Sequence, residues 1–537
     1  MTLFIRLSNT VLIGSSDLEL TYLILLILAI IYVPFYIWVR RSPKAAEYGL
    51  AKYGPCVMIK TQYGTRLMDR LSRYRRFWKF FGTFSLIVSL FLMIFIIVII
   101  AVGVMNLATS LSSPGMGLQY ALAIPGLNPL LPFWYGVLGL IVAMVVHELS
   151  HGMQTRANDM RVDSTGVLYG VVPLGAFVEP NEEDIRKSSR RAKLDLYSAG
   201  ISANFITAAV TFFIFAFLML GNVSSDYGDN AAVYQITADS PAYLADIPSG
   251  AIIESVYPVG DPTGSVDGKY LYSDNYSTQY SWNPGDEVTV SYLTQDGPHT
   301  ANVRWGLFIE RVSPGSPADG NLNEKTFITS ITMNGGEPTP IYGYSEFLSF
   351  MQTTKPGTPV TIDCMSADGT STFTKSLTLG DKGGIGYVGI VTSTSGMNFI
   401  TPNIMLDTGR NPIYGAGSVT DAATSMLSYI SGPFNGFSPI PQSVHWWYDV
   451  PMGGAFWTLI SVFYWIFWLN IMLGVSNAIP AFPFDGGFIF QGGFSSLLER
   501  LGMKEEKKRE DLVAKVTSSL SLIMIFLLIL VIAAVVL

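Results

Sequence analysis

The stretch of this chain best equipped for chemistry is His147-Glu148-Leu149-Ser150-His151. On a helix, residues four apart share a face, so both imidazoles can grip one metal ion. Glu148 directly follows the first imidazole, where a carboxylate can take a proton from an attacking water. Upstream, Leu138 to Val146 carries no polar side chain, so the motif lies on a helix in apolar surroundings. Ionisable groups are costly there and mark function more often than packing.

Two ligands do not complete a catalytic zinc site, which takes three from the protein and keeps a fourth position open. The candidate third ligand lies far along the chain, in Asn477-Ala478-Ile479-Pro480-Ala481-Phe482-Pro483-Phe484-Asp485-Gly486-Gly487. Asp485 follows an apolar run, in a segment broken by prolines and glycines. Such irregular backbone is tolerated at membrane depth only inside protein or beside a wet cavity. A carboxylate there needs a cationic partner, and zinc provides one. The alternative is that Asp485 only caps the next helix.

The elements that must position these groups follow from hydropathy. The chain has 537 residues, 49% hydrophobic and only 14% charged. Six runs are long enough to cross a bilayer: about 20–39, 79–104, 131–153, 195–220, 454–475 and 516–537. The first is followed at once by Arg40 and Arg41 and reads as an anchor helix, not a cleaved leader. Loop charge sets the orientation. Residues 40–76 carry ten Lys and Arg against Glu47 and Asp69, which puts that loop in the cytoplasm. Loops 154–194 and 499–515 are also basic, whereas 105–130 has no charge. Both termini are therefore expected outside. Spans three and five both run inward, so His147, His151 and Asp485 should meet near the cytoplasmic face.

The long segment 221–453 then falls outside, with 22 acidic residues against 8 basic ones. It reads as short strands separated by Gly, Pro, Asp and Asn, and it repeats. Ser240-Pro241-Ala242 is echoed by Ser316-Pro317-Ala318, and Pro284-Gly285 by Pro356-Gly357, at offsets of 76 and 72 residues. These copies resemble two tandem PDZ domains of the bacterial protease type, the second being the better match. The first lacks a clear helix before Pro284. Residues 397–453, with Trp446 and Trp447, read as an outer interfacial segment. Cys56 and Cys364 lie on opposite sides of the membrane in this topology, so no disulfide joins them. The formal charge of −7 is a sum over compartments, and nucleic acid is not an expected partner.

Together, the HExxH helix and the distant N-x-x-P-x-x-P-x-D-G-G segment resemble the site-2 protease family of intramembrane metalloproteases. Two further stretches are similar to that family. Pro173-Leu174-Gly175-Ala176-Phe177-Val178-Glu179-Pro180 resembles its hairpin after the zinc helix, and implies that Gly175 and Phe177 help present substrate as an edge strand. Ala199-Gly200-Ile201-Ser202-Ala203-Asn204 resembles its Ala-Gly-Pro-x-x-Asn motif, with Ile201 where proline is usual. The resemblance implies that His147, His151 and Asp485 bind Zn2+ and that Glu148 is general base and later proton donor. Asn204 and Asn477 become candidates to orient substrate or stabilise the oxyanion; each could instead bridge helices.

The expected fold is a multi-span α-helical membrane protein with inserted α+β PDZ-like domains. Its divisions are a membrane domain over 1–220, PDZ-like domains over 226–304 and 305–392, a linker over 393–453 and a second membrane part over 454–537. The expected activity is zinc-dependent hydrolysis of transmembrane protein substrates, in contact with membrane lipid, in the cell membrane. Alternatives are a metal-binding transporter and a non-catalytic scaffold of the same fold.

Overall fold

The computed structural model describes residues 15–107, 131–171, 173–272, 280–435 and 440–536, with Pro125 and Asn128. The uncharged loop 105–130 thus lies mostly outside the described residues. The chain divides into two compact units. One holds the N-terminal 219 residues, 416–438 and 454–537; the other holds 220–415 and 439–453.

The first unit begins with helices α1 (Ser15–Arg41), α2 (Tyr63–Leu71), α3 (Arg75–Met105), α4 (Phe133–Ala157), α5 (Glu182–Lys187) and α6 (Arg190–Phe212). α6 runs on through a π turn, Phe213–Met219. Among the described residues, five helices are long and apolar enough to cross a membrane: Arg75–Met105, Phe133–Ala157, Arg190–Asn222, Gly454–Asn477 and Glu506–Ala534. These fall on the last five expected spans. The first expected span falls on α1, which is 27 residues long.

The loop after α1 is more ordered than its charge suggests. Strands β1 (Leu50–Tyr53) and β2 (Cys56–Thr61) form a hairpin. β2 pairs with β3 (Val162–Tyr169), and β3 pairs with β4 (Pro173–Pro180). The result is a four-stranded antiparallel sheet in the order β1-β2-β3-β4, with β4 at its edge. Lys60 on β2 ties the sheet across to Glu179 on β4 at 2.8 Å, and Ser164 Oγ donates to the same carboxylate. These bonds hold the Glu179 carboxyl below its usual pKa.

The second unit is an antiparallel sheet of 12 strands. Chain order gives β5 (Ala232–Ile236), a short helix α7 (Pro241–Leu244), β6 (Ile252–Pro258), β7 (Val266–Asp267), β8 (Glu287–Thr294) and β9 (Gly297–Arg304). Then follow β10 (Leu307–Val312), β11 (Thr326–Met333), β12 (Thr339–Pro340), helix α8 (Tyr344–Gln352), β13 (Pro359–Ser366) and β14 (Thr372–Thr378). A small separate hairpin, β15 (Gly380–Lys382) and β16 (Ile385–Tyr387), precedes β17 (Ile390–Thr394) and β18 (Met397–Ile400). The main path is β14-β13-β11-β10-β17-β18-β5-β6-β8-β9.

Two hydrophobic cores underlie this one sheet. The first gathers Val233, Ile253, Val290, Trp282 and Trp305; the second gathers Ile309, Ile328, Ile331, Phe347 and Ile362. They form two modules, and the repeat in the sequence is a repeat in space. Thr237 N donates to Gly396 O, and Ser313 N to Gly389 O. Each glycine has a positive φ of 90° and lies so close to Ser240 or Ser316 that a Cβ would overlap the hydroxyl. The pairing differs from tandem domains in one respect. β18, which closes the first module against β5, comes after the second module in the chain. The second module is therefore inserted in the first, and part of the expected 393–453 linker belongs to the sheet.

The second module has α8 ahead of Pro356, whereas between β6 and Pro284 the first shows only two 3-10 turns, Pro262–Gly264 and Gly268–Tyr270, among its described residues. Trp447 also departs from the interfacial expectation. It is enclosed, and its Nε1 donates to Gly250 O at 2.9 Å. A buried indole with a hydrogen-bond partner and a membrane-interface indole have the same composition signal.

The remaining helices are α9 (Pro402–Arg410) in the second unit, then α10 (Val419–Ser431), α11 (Gly454–Asn477), α12 (Asp485–Arg500) and α13 (Glu506–Val536) in the first. α6 is the hub of the membrane unit and packs on α3, α4, α11 and α12. Small residues allow that approach. Gly474 of α11 lies on Ile201 O and Asn204 Cβ of α6, and Gly139 of α4 lies on Trp465 O of α11.

Candidate metal centre

α4 carries His147, Glu148 and His151 on its last turns. The two imidazoles are buried, and their Nε2 atoms lie 3.1 Å apart. Asp485 arrives from the other end of the chain as the first residue of α12. Its Oδ2 is 3.2 Å from each Nε2. The prolines explain how it gets there. α11 stops at Asn477, and Pro480 and Pro483 keep the next seven residues out of a helix. Gly486 and Gly487 then press against the backbone of 478–482, where any Cβ would overlap the main chain of Ala478, Ile479 or Ala481. The first turn of α12 is so held against the broken segment, with Asp485 directed at α4.

α6 supplies the support. His151 Nδ1 lies 2.7 Å from the main-chain oxygen of Leu196. A carbonyl only accepts, so Nδ1 holds the proton and the Nε2 lone pair faces inward. Gly200, one turn further along α6, gives both rings their space. A Cβ there would come within 2.5 Å of His151 Nε2 and 2.7 Å of His147 Nε2.

Three acceptor atoms thus converge. Asp485 Oδ2 is buried and receives no hydrogen bond among the described residues. A tetrahedral zinc ion with ligand bonds of about 2.0–2.1 Å spaces its ligand atoms about 3.3 Å apart. The observed triangle of 3.1, 3.2 and 3.2 Å matches that spacing. Two imidazole nitrogens and one carboxylate are also a donor set that zinc accepts. Among the described residues this is the one His/Cys/Asp/Glu group that could hold a metal ion.

The profile of peptidase family M50 matches residues 135–525, well over half of the chain. The chain belongs to peptidase family M50. The family is one of zinc metalloproteases, and the cluster on α4 and α12 fits that metal. This M50 chain is also similar to an uncharacterized protein of Methanocaldococcus jannaschii, MJ0971, with 27% identity over 192 residues. That match covers 35% of this chain and 50% of the relative, so the chain spans about half the length of this curated relative.

The other sequence-derived residues of the M50 chain fall as follows. Glu148 Oε2 accepts from Val178 N on β4 at 3.0 Å, which ties the carboxylate to the sheet edge. Asn204 lies one turn beyond Gly200 on α6, fully buried, with neither amide atom hydrogen-bonded among the described residues. Asn477 donates to Leu473 O at 3.0 Å, its own preceding helical turn. Gly175 and Phe177 lie on β4. Phe177 covers Gly166 of β3, whereas a Cβ added at Gly175 would meet only ordinary contacts, 3.7 Å from Leu168 Cβ and Met144 Sδ.

Residue types alone did not disclose Leu196, because a main-chain carbonyl leaves no mark in the sequence. Val178 N–H was hidden for the same reason. The role of Gly200 was legible in part, since a glycine inside a helix invites a packing explanation.

Proposed function

We propose that this M50 peptidase is a zinc metalloendopeptidase of the site-2 type, cutting the transmembrane segments of protein substrates near the cytoplasmic face of the cell membrane. The observation that carries the reading is the triangle of His147, His151 and Asp485 with Glu148 on the same helix as two of its corners.

Zinc held by these three side chains supplies a Lewis acid that lowers the pKa of water toward 7 and polarises the scissile carbonyl. Glu148 does the proton handling. Its Oε2 is fixed by Val178 N–H, which leaves Oε1 to take a proton from water and return it to the leaving amine. Leu196 O holds His151 in the tautomer that presents its Nε2, and Gly200 leaves both rings the space they occupy. Asn204 stabilises the oxyanion or orients substrate from one turn away. Asn477, engaged with its own helix, is the weaker candidate for that work.

A substrate helix must expose its main chain before hydrolysis, because helical carbonyls are hydrogen-bonded and shielded. Preferred spans therefore contain helix-weakening residues, and an earlier cut has removed the outer domain. The two β modules act as PDZ-like gates outside the membrane. The loop charges support this orientation, with both termini outside.

The test is Glu148→Gln in the full chain, reconstituted in bilayers with a single-span substrate carrying Gly-Pro in its helix. Retained zinc with cleavage reduced by about 10²-fold or more supports the reading. Cleavage at the native rate overturns it.

A further inference from the structure

Two arginines around the corner between α2 and α3 have carboxylate partners. Arg75 pairs with Asp159, and Arg156 of α4 meets Asp69 of α2 at 3.0 Å. Four others in the same stretch do not. Arg66, Arg70, Arg73 and Arg76 are exposed and have no carboxylate within ion-pair distance among the described residues.

Their directions follow from the buried residues of each helix. Met68 marks the inward face of α2. It is fully enclosed, and a Cβ on Gly152 of α4 would come within 2.5 Å of its Sδ. Arg66 and Arg70 lie two residues to either side of Met68, about 160° around the helix, so both face away from the protein. The inward face of α3 carries Trp78, Gly82, Ser85 and Ser89, all buried. Arg76 lies on the opposite face, in line with Phe80, Ile87, Phe91 and Ile94, all exposed. That stripe is what a membrane-crossing helix turns to lipid. The corner itself is fixed, because Trp78 Nε1 donates to Leu71 O at 2.9 Å and Ser72 N to Met68 O at 2.8 Å.

Four cations therefore gather where a lipid-facing stripe ends. Arg66 and Arg70 are one turn apart, a spacing at which like charges repel, so the arrangement calls for an anion. Tyr74, 71% exposed, stands among them, and amphipathic rings favour headgroup depth. Guanidinium forks match phosphate oxygens. Charge, depth and donor shape agree on one ligand class.

We infer that the α2–α3 corner binds the phosphate headgroup of an anionic phospholipid through Arg66, Arg70, Arg73 and Arg76. Neither the orientation of the chain nor its proteolytic activity enters this assignment. The site has a short connection to the metal centre. α2 rests on α4 through Met68 at Gly152, the residue after His151, and through Asp69 and Arg156. A headgroup on the outer face of α2 offsets the repulsion there and keeps α2 seated on the helix that carries the histidines.

The experiment places the full chain in nanodiscs of phosphatidylcholine, with or without phosphatidylglycerol, and follows hydrogen exchange over 63–76. Phosphatidylglycerol should slow exchange of α2 several-fold, and added salt should weaken that effect. Arg66→Gln, Arg70→Gln, Arg73→Gln and Arg76→Gln combined should abolish it. Lys44→Gln with Lys52→Gln, in the same basic loop, should leave it intact. In parallel, native chain is exposed to phosphatidylglycerol with a photoreactive headgroup, and adducts should concentrate on 66–76. Equal exchange in both membranes, or a response retained by the combined arginine variant, overturns the site. An equal loss in the lysine variant also overturns it, in favour of a diffuse surface field. If the arginine variant misfolds, the adducts decide alone, and an even spread over 40–79 overturns the site. Equal protection by soluble polyglutamate in phosphatidylcholine discs overturns the lipid in favour of an acidic protein segment.

Discussion

His151 donates its Nδ1 proton to the main-chain oxygen of Leu196 across 2.7 Å. The acceptor belongs to α6, one turn before Gly200, which touches both imidazoles. One helix therefore sets the tautomer and the available space together. The face of α4 that bears the two candidate ligands is shaped by a neighbour that contributes none.

Replacing Gly200 with Ala tests this dependence. The new methyl would stand 2.5–2.7 Å from three imidazole atoms, and the His151 ring, anchored on the Leu196 carbonyl, cannot swing aside freely. Zinc affinity should fall by tenfold or more, measured by chelator competition. Helix content should not fall, since alanine favours a helix over glycine by about 1 kcal/mol. Unchanged zinc affinity would mean that the rings do not need this space.

The N-cap position of α12 is Phe484 and Asp485 follows it, so the side chain does not act as the expected cap. Asp485→Asn separates a metal ligand from a residue that only starts the helix, where asparagine in place of aspartate predicts a nearly silent change. A ligand role predicts a loss of zinc affinity of about 10- to 100-fold or more, because the anionic oxygen facing two Nε2 atoms is gone. Metal content after dialysis against a weak chelator distinguishes the two.

Much of this centre was legible in advance, and for identifiable reasons. His147 and His151 declare themselves by helical spacing within an apolar run. Asp485 declares itself because a carboxylate in a proline-broken, membrane-depth segment needs a cation. Leu196 O and Val178 N–H could not be found that way, being main-chain atoms. The β modules show the same division. Their repeat was visible in Ser240-Pro241-Ala242 and Ser316-Pro317-Ala318, but the nesting was not. β18 is only four residues long, and its one signal is Gly396 before a short strand, matching Gly389 before β17.

His445 gives the second unit a pH dependence. Burial pushes its imidazole below the ordinary 6.5, and the Ile440 carbonyl 3.1 Å from Nε2 offsets this only in part. The folded chain thus prefers the neutral ring more than the unfolded chain does. Stability is fully present above pH 6.5 and is lost as pH falls from there toward the lower folded value. Hydrogen exchange over 440–448 should speed up between pH 7 and pH 5.5 beyond its intrinsic rate. His445→Gln should flatten that extra dependence.

The nesting of the modules yields the sharpest structural prediction. Ser395 N donates to Gly306 O at 2.8 Å, and Gly306 N donates to Ser395 Oγ at 3.2 Å. The second module thus leaves and rejoins the first at a single cross-strand pair. Replacing 307–394 with an Asn-Gly turn, which closes antiparallel strands in two residues, should leave the first module folded around Trp282 and Trp305. Exchange protection of β5 should persist. Cutting 305–392 instead removes Trp305 and the Gly306 partner of Ser395, and protection of β5 should be lost although nearly the same length of chain is missing. Tandem independent domains predict the opposite ranking, because the second cut would then follow the domain boundary. The clean excision also tests the proposed gating role while leaving the first module folded. Increased cleavage of substrates that keep their outer domains supports a size filter, whereas decreased cleavage of trimmed substrates supports a receptor for their new ends.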